Sequence, residues 1–499
     1  MILFEKSVFP ILNLDNDHDW NELLNIGGRY ADKSGIERLK KCLEGDCKSI
    51  VIEREYIDKD YRNTFANFHA KRFVTPPSRC IRLHFFSKHI TEEQFISFNI
   101  LDNGTNKYLG YSVIRATRPN SIGRTFLSHQ TRMDKDSHLC LCDEKVHIAG
   151  EQNTIKGFPF ISQDADATVC AESALWMLLR YLSNRYALYS ETLPFQITQL
   201  ANHHAIGRRV FPSGGLSSWQ LSEALRLSKL SPLIYSRPTD SSASDFAEKN
   251  EQFEHLLYTY IESGFPLLTT VKDHVFPTIG HTSDFSKIIA DNSKPIYTSH
   301  FNKSFTICDD NHFPYQSLPK RIPTNIHDSK YKFEDINEFI VPLPEKVFLS
   351  AESAQAAINT ILNDPSAGIK NNSALLDGAS ITLRLFLTTA RAFKAKLKER
   401  GMGNDVVAST YRQIPLPHFV WICEISLTED YVSDQSVLGE VIWDATRNAH
   451  EPDGWIAVHY PEQLSVDLGS TLNQSQQIVK IKLLDSTSYP LLRSNLNSY

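Results

Sequence analysis

Long apolar runs, clustered cysteines, internal repeats and an excess of positive charge are all missing from this 499-residue chain. Without a stretch of roughly 18 or more uninterrupted apolar residues, no segment is expected to cross a membrane as a helix. The short apolar stretch Val8 to Leu12 is broken by Pro10 and runs into Asp15 and Asp17. It does not read as a secretory signal, and a cytoplasmic protein is expected. A net charge of −6 lacks the basic footprint of a nucleic-acid or anionic-membrane binder, so neither partner is expected. The eight cysteines (Cys42, Cys47, Cys80, Cys140, Cys142, Cys170, Cys308 and Cys423) are scattered, unlike a small secreted disulfide scaffold, and read as reduced thiols.

What is present is an ordinary globular composition, with 41% apolar, 22% charged and 11% aromatic residues. Single cores usually stop growing beyond roughly 250 residues, so this length implies roughly two to four domains. Residues 1–150 combine a helical stretch at Gly35–Leu43 with strand-like runs at Cys80–Phe86 and Tyr108–Ile114, as in an α+β accessory domain. From about residue 155 the order is an apolar entry segment (Phe158 to Ile161), a helix from Cys170 to Tyr186, and further helices at Phe195–His204, Ser217–Leu227 and Glu251–Glu262. Strands at Pro266–Val271, Val275–Ile279 and Ser304–Cys308 follow, completing a module over 155–320. Residues 345–499 read as a C-terminal α+β region, with helices at Ala351–Leu362 and Ala379–Arg400 and strands at Phe419–Leu427 and Glu440–Asp444. The basic residues between Arg384 and Arg400 read as a solvated helix face, with binding of an anionic partner as the alternative.

The chemistry gathers around Cys170. A thiol attacks a carbonyl only as the thiolate, and the free amides and dipole of a helix N-terminus favour that anion where Cys170 stands. Gln163, on the segment entering the helix, can supply an oxyanion donor beside the Cys170 N–H. His274 follows one apolar strand and opens another, a position from which an imidazole can take the thiol proton and return it to a leaving amine. Asp309 and Asp310 close the strand through Cys308 and can orient that imidazole. Alternation puts Phe305, Ile307 and Asp309 on one face and turns Asp310 away, so Asp309 is the expected partner. A second arrangement stays open, in which His418 opens the strand Phe419–Leu427 and Asp444 ends another. His281, next to Gly280, reads as structural or substrate-facing. The run His138, Cys140, Cys142, His147 holds metal-type ligands without the paired spacing of a zinc site, and no cofactor or metal is expected.

Taken in order, these pieces resemble the papain-like cysteine peptidases, most closely those that process double-glycine leaders of bacteriocins. The likeness runs through Gln163 and Cys170, the Gly214-Gly215-Leu216 turn with its following helix, the Gly264-to-Val271 strand, the His274-to-Gly280 segment and the strand ending in Asp309. It implies a helix-borne Cys170 packed on an antiparallel sheet, with Cys170 as nucleophile, His274 as base and acid, Asp309 as orienter and Gln163 as oxyanion donor. Gln163 lies seven positions before Cys170 where these families commonly have six, and Asp164 takes the usual place. The expected activity is hydrolysis of a peptide or isopeptide bond in a protein or peptide substrate through a thioester, by a protease of the thiol class. The alternative is an inactive module of the same fold that binds a peptide or partner protein.

Overall fold

The computed structural model of the protein describes residues 9–498 apart from 16, 28–32, 44, 98–106, 118–120, 130–136, 165–168, 204–214, 287–294, 321–327, 365–379, 399, 401–404, 449–453, 472–476 and 484–487. The described chain is α+β, with helices packed among three large, mostly antiparallel sheets and two two-stranded ones. His204, Ser213 and Gly214 lie outside the described residues, whereas Gly215 adopts the left-handed φ of +92° that suits a glycine turn.

The first sheet pairs Ile11–Asn13, Ser49–Tyr56, Cys80–Phe86, Tyr108–Ile114, Ile122–Leu127 and Pro159–Phe160 in that order, all antiparallel. The apolar entry segment expected to open the second module is thus the last strand of this sheet, Phe160 pairing with Thr125 and Pro159 with Phe126.

The central sheet is antiparallel throughout. Its order is Leu230–Ser236, Ile336–Pro344, Leu267–Val271, His274–Ser283, Asn302–Ile307 and Gln316–Pro319. Ser137–Leu139 pairs with the distal half of His274–Ser283, and Asn497–Ser498 pairs with it in turn. This sheet therefore draws strands from both sides of the 155–320 span. Strand alternation divides its side chains between two cores. Leu268, Val275, Ile279 and Ile340 face one that contains the helix Cys170–Arg185, while Leu267, Phe276, Phe339 and Val341 face one that contains the helix Phe246–Glu262. Cys170–Arg185 is buried continuously from Ala171 to Leu182 because it lies between the edge of the first sheet and the central sheet.

The third sheet runs Ile296–Tyr297, Ile381–Thr389, Phe419–Leu427, Gly439–Asp444, Trp455–Tyr460, Gln463–Asp467 and Ile478–Lys482, with the first pair parallel and the rest antiparallel. The helix expected over Ala379–Arg400 is corrected here: Ile381–Thr389 is a strand, and only Ala390–Lys396 is helical. Both faces of the strand are buried, so its apolar residues run almost without a break and imitate a buried helix.

The solvated basic face expected over Arg384–Arg400 holds for Arg391 and Lys398, which are exposed, and is corrected at its two ends. Arg384 and Arg400 lie inside the protein in a chain of ion pairs. Arg384 donates to Glu262 and to Glu424 at 2.6 Å each, and Arg400 reaches Glu424 at 2.9 Å and Glu440 at 3.1 Å. His281 joins the chain through Glu262 at 2.6 Å, which gives it the structural role. Burial pushes the Glu262 carboxyl up, but Arg384 and the His281 hydrogen bond hold it well below the ordinary range. Removing one partner strands a buried charge, so Arg384→Ala should cost about 3–5 kcal/mol. Urea unfolding of the two proteins measures the difference.

Candidate active site

Cys170 is the first residue of its helix, after Val169 in extended conformation at the N-cap. The first amides of a helix have no intrahelical acceptor, so the Cys170 N–H is available at this end. Glu172, two residues on, turns back so that Oε2 accepts the Val169 N–H at 3.3 Å. Burial raises the Glu172 carboxyl to about 7, with the charge of Asp164 adding to it. All eight cysteines are described, and Cys170 alone is not fully buried. Burial pushes the Cys47, Cys140 and Cys142 thiols up to about 12, which leaves them poor nucleophiles.

His274 opens the fourth strand of the central sheet, the one against which the Cys170 helix packs. Its Nε2 lies 2.8 Å from Asp309 Oδ1, and the Cys170 thiol is near enough to favour the charged ring. With Nε2 committed to Asp309, Nδ1 is the nitrogen left for the thiol. Burial works against a charged imidazole here. The Asp309 hydrogen bond and the Cys170 thiol, with the charges of Asp309 and Asp310, outweigh it and raise His274 to about 10. Tyr331 stacks on the ring at 5.9 Å between centroids, and Phe276 meets it edge-on at 5.8 Å. These contacts fix the ring plane.

Asp309 follows the strand Asn302–Ile307 and heads a tight turn, closed by the His312 N–H on its carbonyl at 2.9 Å. Asn311 N–H donates to the same Oδ1 that holds His274, at 3.0 Å. Burial raises this carboxyl, but His274, by hydrogen bond and by charge, brings it below its ordinary value. The expectation that Asp310 turns away is corrected. Its Oδ1 lies 3.6 Å from His274 Nε2, because the strand ends at Ile307 and the turn breaks the alternation beyond it.

Gln163 reaches this turn from the other side, its Nε2 donating to Asn311 Oδ1 at 2.5 Å. Asp164, at the spacing usual for an oxyanion donor, is buried and lies 3.8 Å from the equally buried His69. Arg38, from the N-terminal helix Lys33–Leu43, donates at 3.4 Å to both the Asp310 carbonyl and Ser162 Oγ. The first 150 residues thus help build the site. Neither Arg38, His69 nor Tyr331 carried a sequence signal, since each reaches the site only through tertiary packing.

His418 stands in a different sheet, exposed at the start of Phe419–Leu427 with its ring against Phe419. Asp444 accepts from Thr446 and lies 3.6 Å from Arg447. Of the His138-to-His147 run, the His138 ring stacks on His281 at 5.1 Å while His147 is exposed. Among the described residues, the group whose ligand-type atoms converge is His274, Asp309 and Asp310, all within 4.8 Å of one another. The 2.8 Å between Nε2 and Asp309 Oδ1 is a hydrogen-bond length, shorter than the roughly 3.3 Å that separates ligands around a tetrahedral zinc.

The chain matches no family model, no curated protein and no solved structure. Among the described residues, no helix is long and apolar enough to cross a membrane.

Proposed function

We propose that the protein is a papain-like thiol hydrolase that cleaves a peptide or isopeptide bond through a thioester on Cys170. The observation that carries the reading is the convergence of the one accessible cysteine, at a helix N-terminus, with an imidazole that Asp309 grips from behind. With the Cys170 proton already held on His274 Nδ1, the thiolate Sγ attacks the carbonyl carbon. The C–N bond then breaks, and the amine leaves with that proton. Water gives a proton to the same nitrogen and attacks the thioester carbonyl, the C–S bond breaks to release the acid, and the Cys170 thiolate is restored beside the imidazolium. Oxyanion charge is met by the Cys170 N–H and the Gln163 amide, which has a second N–H beyond the one given to Asn311.

An epoxysuccinyl peptide or iodoacetamide tests this without a known substrate. At neutral pH one adduct should form, located by mass spectrometry on Cys170. Labelling of another cysteine, or of none, would count against the assignment.

A further inference from the structure

We propose that Asp310 is a second positioning carboxylate for His274, sharing one ring nitrogen with Asp309; this rests on the thiol-hydrolase reading. Asp310 has no exposed surface, and neither carboxylate oxygen has a hydrogen-bond partner. A buried carboxylate in that state is costly unless an opposite charge stands beside it. The groups facing it come from four elements. His274 comes from the central strand, Asp309 from its own turn, Arg38 from the N-terminal helix, and the Gln163 main-chain N–H from the segment before Cys170. Arg38 hydrogen-bonds the Asp310 carbonyl and so fixes the main chain, its charge adding a weaker pull. The charge that answers Asp310 most directly is the imidazolium of His274, 3.6 Å away.

The step from 3.6 Å to the 2.8 Å of Asp309 is within reach of a small side-chain rotation. If Asp309 is lost, Asp310 takes its place. Burial raises the Asp310 carboxyl to about 7, with the charge of His274 opposing the rise and that of Asp309 adding to it. Above that value a neutral imidazole would leave two like charges together inside the protein, so the second acid favours the protonated ring and its fixed orientation.

The test is the rate of Cys170 alkylation by iodoacetamide followed from pH 6 to pH 8, across the Asp310 value of about 7, in the full chain, with thermal melting as the check on folding. Asp309→Asn and Asp310→Asn should each slow alkylation by about tenfold, and the double variant by roughly a hundredfold or more. An Asp309→Asn protein as slow as the double variant, with Asp310→Asn as fast as wild type, would overturn the proposal. A wild-type Cys170 that reacts at pH 6 as a free thiol would overturn the hydrolase reading and this proposal with it. A fast wild type with an idle Asp310 removes only the second carboxylate. Should the double variant fail to fold, NMR titration of His274 in Cys170→Ala decides. A fall of about one pKa unit on adding Asp310→Asn supports the role, and no change refutes it.

Discussion

His274→Ala is expected to lower peptide turnover by roughly 10³- to 10⁶-fold, the range for removing a base that acts as a unit with its nucleophile. His418→Ala should leave turnover within a few-fold of wild type. The reason is position. His274 hydrogen-bonds with Asp309 and interacts with the Cys170 thiol, whereas His418 is exposed on a separate sheet, its carbonyl accepting the Ala390 N–H. Until a substrate is in hand, the alkylation rate of Cys170 at neutral pH serves as the readout for both variants. A severe loss in His418→Ala with little effect in His274→Ala would reverse the base assignment.

Cys170→Ala is expected to abolish both hydrolysis and covalent labelling while changing unfolding stability by no more than about 1 kcal/mol. The thiol is only half-buried and opens its helix, so its removal leaves no cavity in the core. The seven other cysteines are buried and offer no substitute nucleophile. Residual turnover by the purified variant would rule out Cys170 as the nucleophile.

Much of this site is written in local sequence. The helix from Cys170 shows in the spacing of Ala174, Leu175, Leu178, Leu179 and Leu182, and His274 and Asp309 mark the ends of strands that are apolar in sequence. What local pattern does not reveal has three causes. Where both faces of a strand are buried, as in Ile381–Thr389, the apolar run carries no period to separate it from a buried helix. Where the chain turns, as after Ile307, alternation stops predicting direction, and Asp310 faces the imidazole instead of solvent. Contacts between distant segments form a third class. Ser137–Leu139 and Ile336–Pro344 enter the central sheet from about 140 residues before and 60 after its His274 strand, and pairing across such separations leaves no mark on either segment. Arg384 and Arg400 illustrate the same limit, since their acidic partners Glu262, Glu424 and Glu440 come from other elements.

The central claim is that Cys170 and His274 act as one ionised pair, and the measurement that bears on it most directly is the pH profile of Cys170 alkylation. With His274 raised to about 10, the imidazolium is present throughout the neutral range. Its contribution to stability is complete below the ordinary histidine value of about 6.5 and disappears as the pH rises through about 10. Alkylation of the wild type should therefore remain fast well below the free-thiol value of about 8.5, while His274→Ala should titrate as a single group near about 8.5. Identical profiles for the two proteins, each with one transition near about 8.5, would contradict the pair and make Cys170 an ordinary thiol.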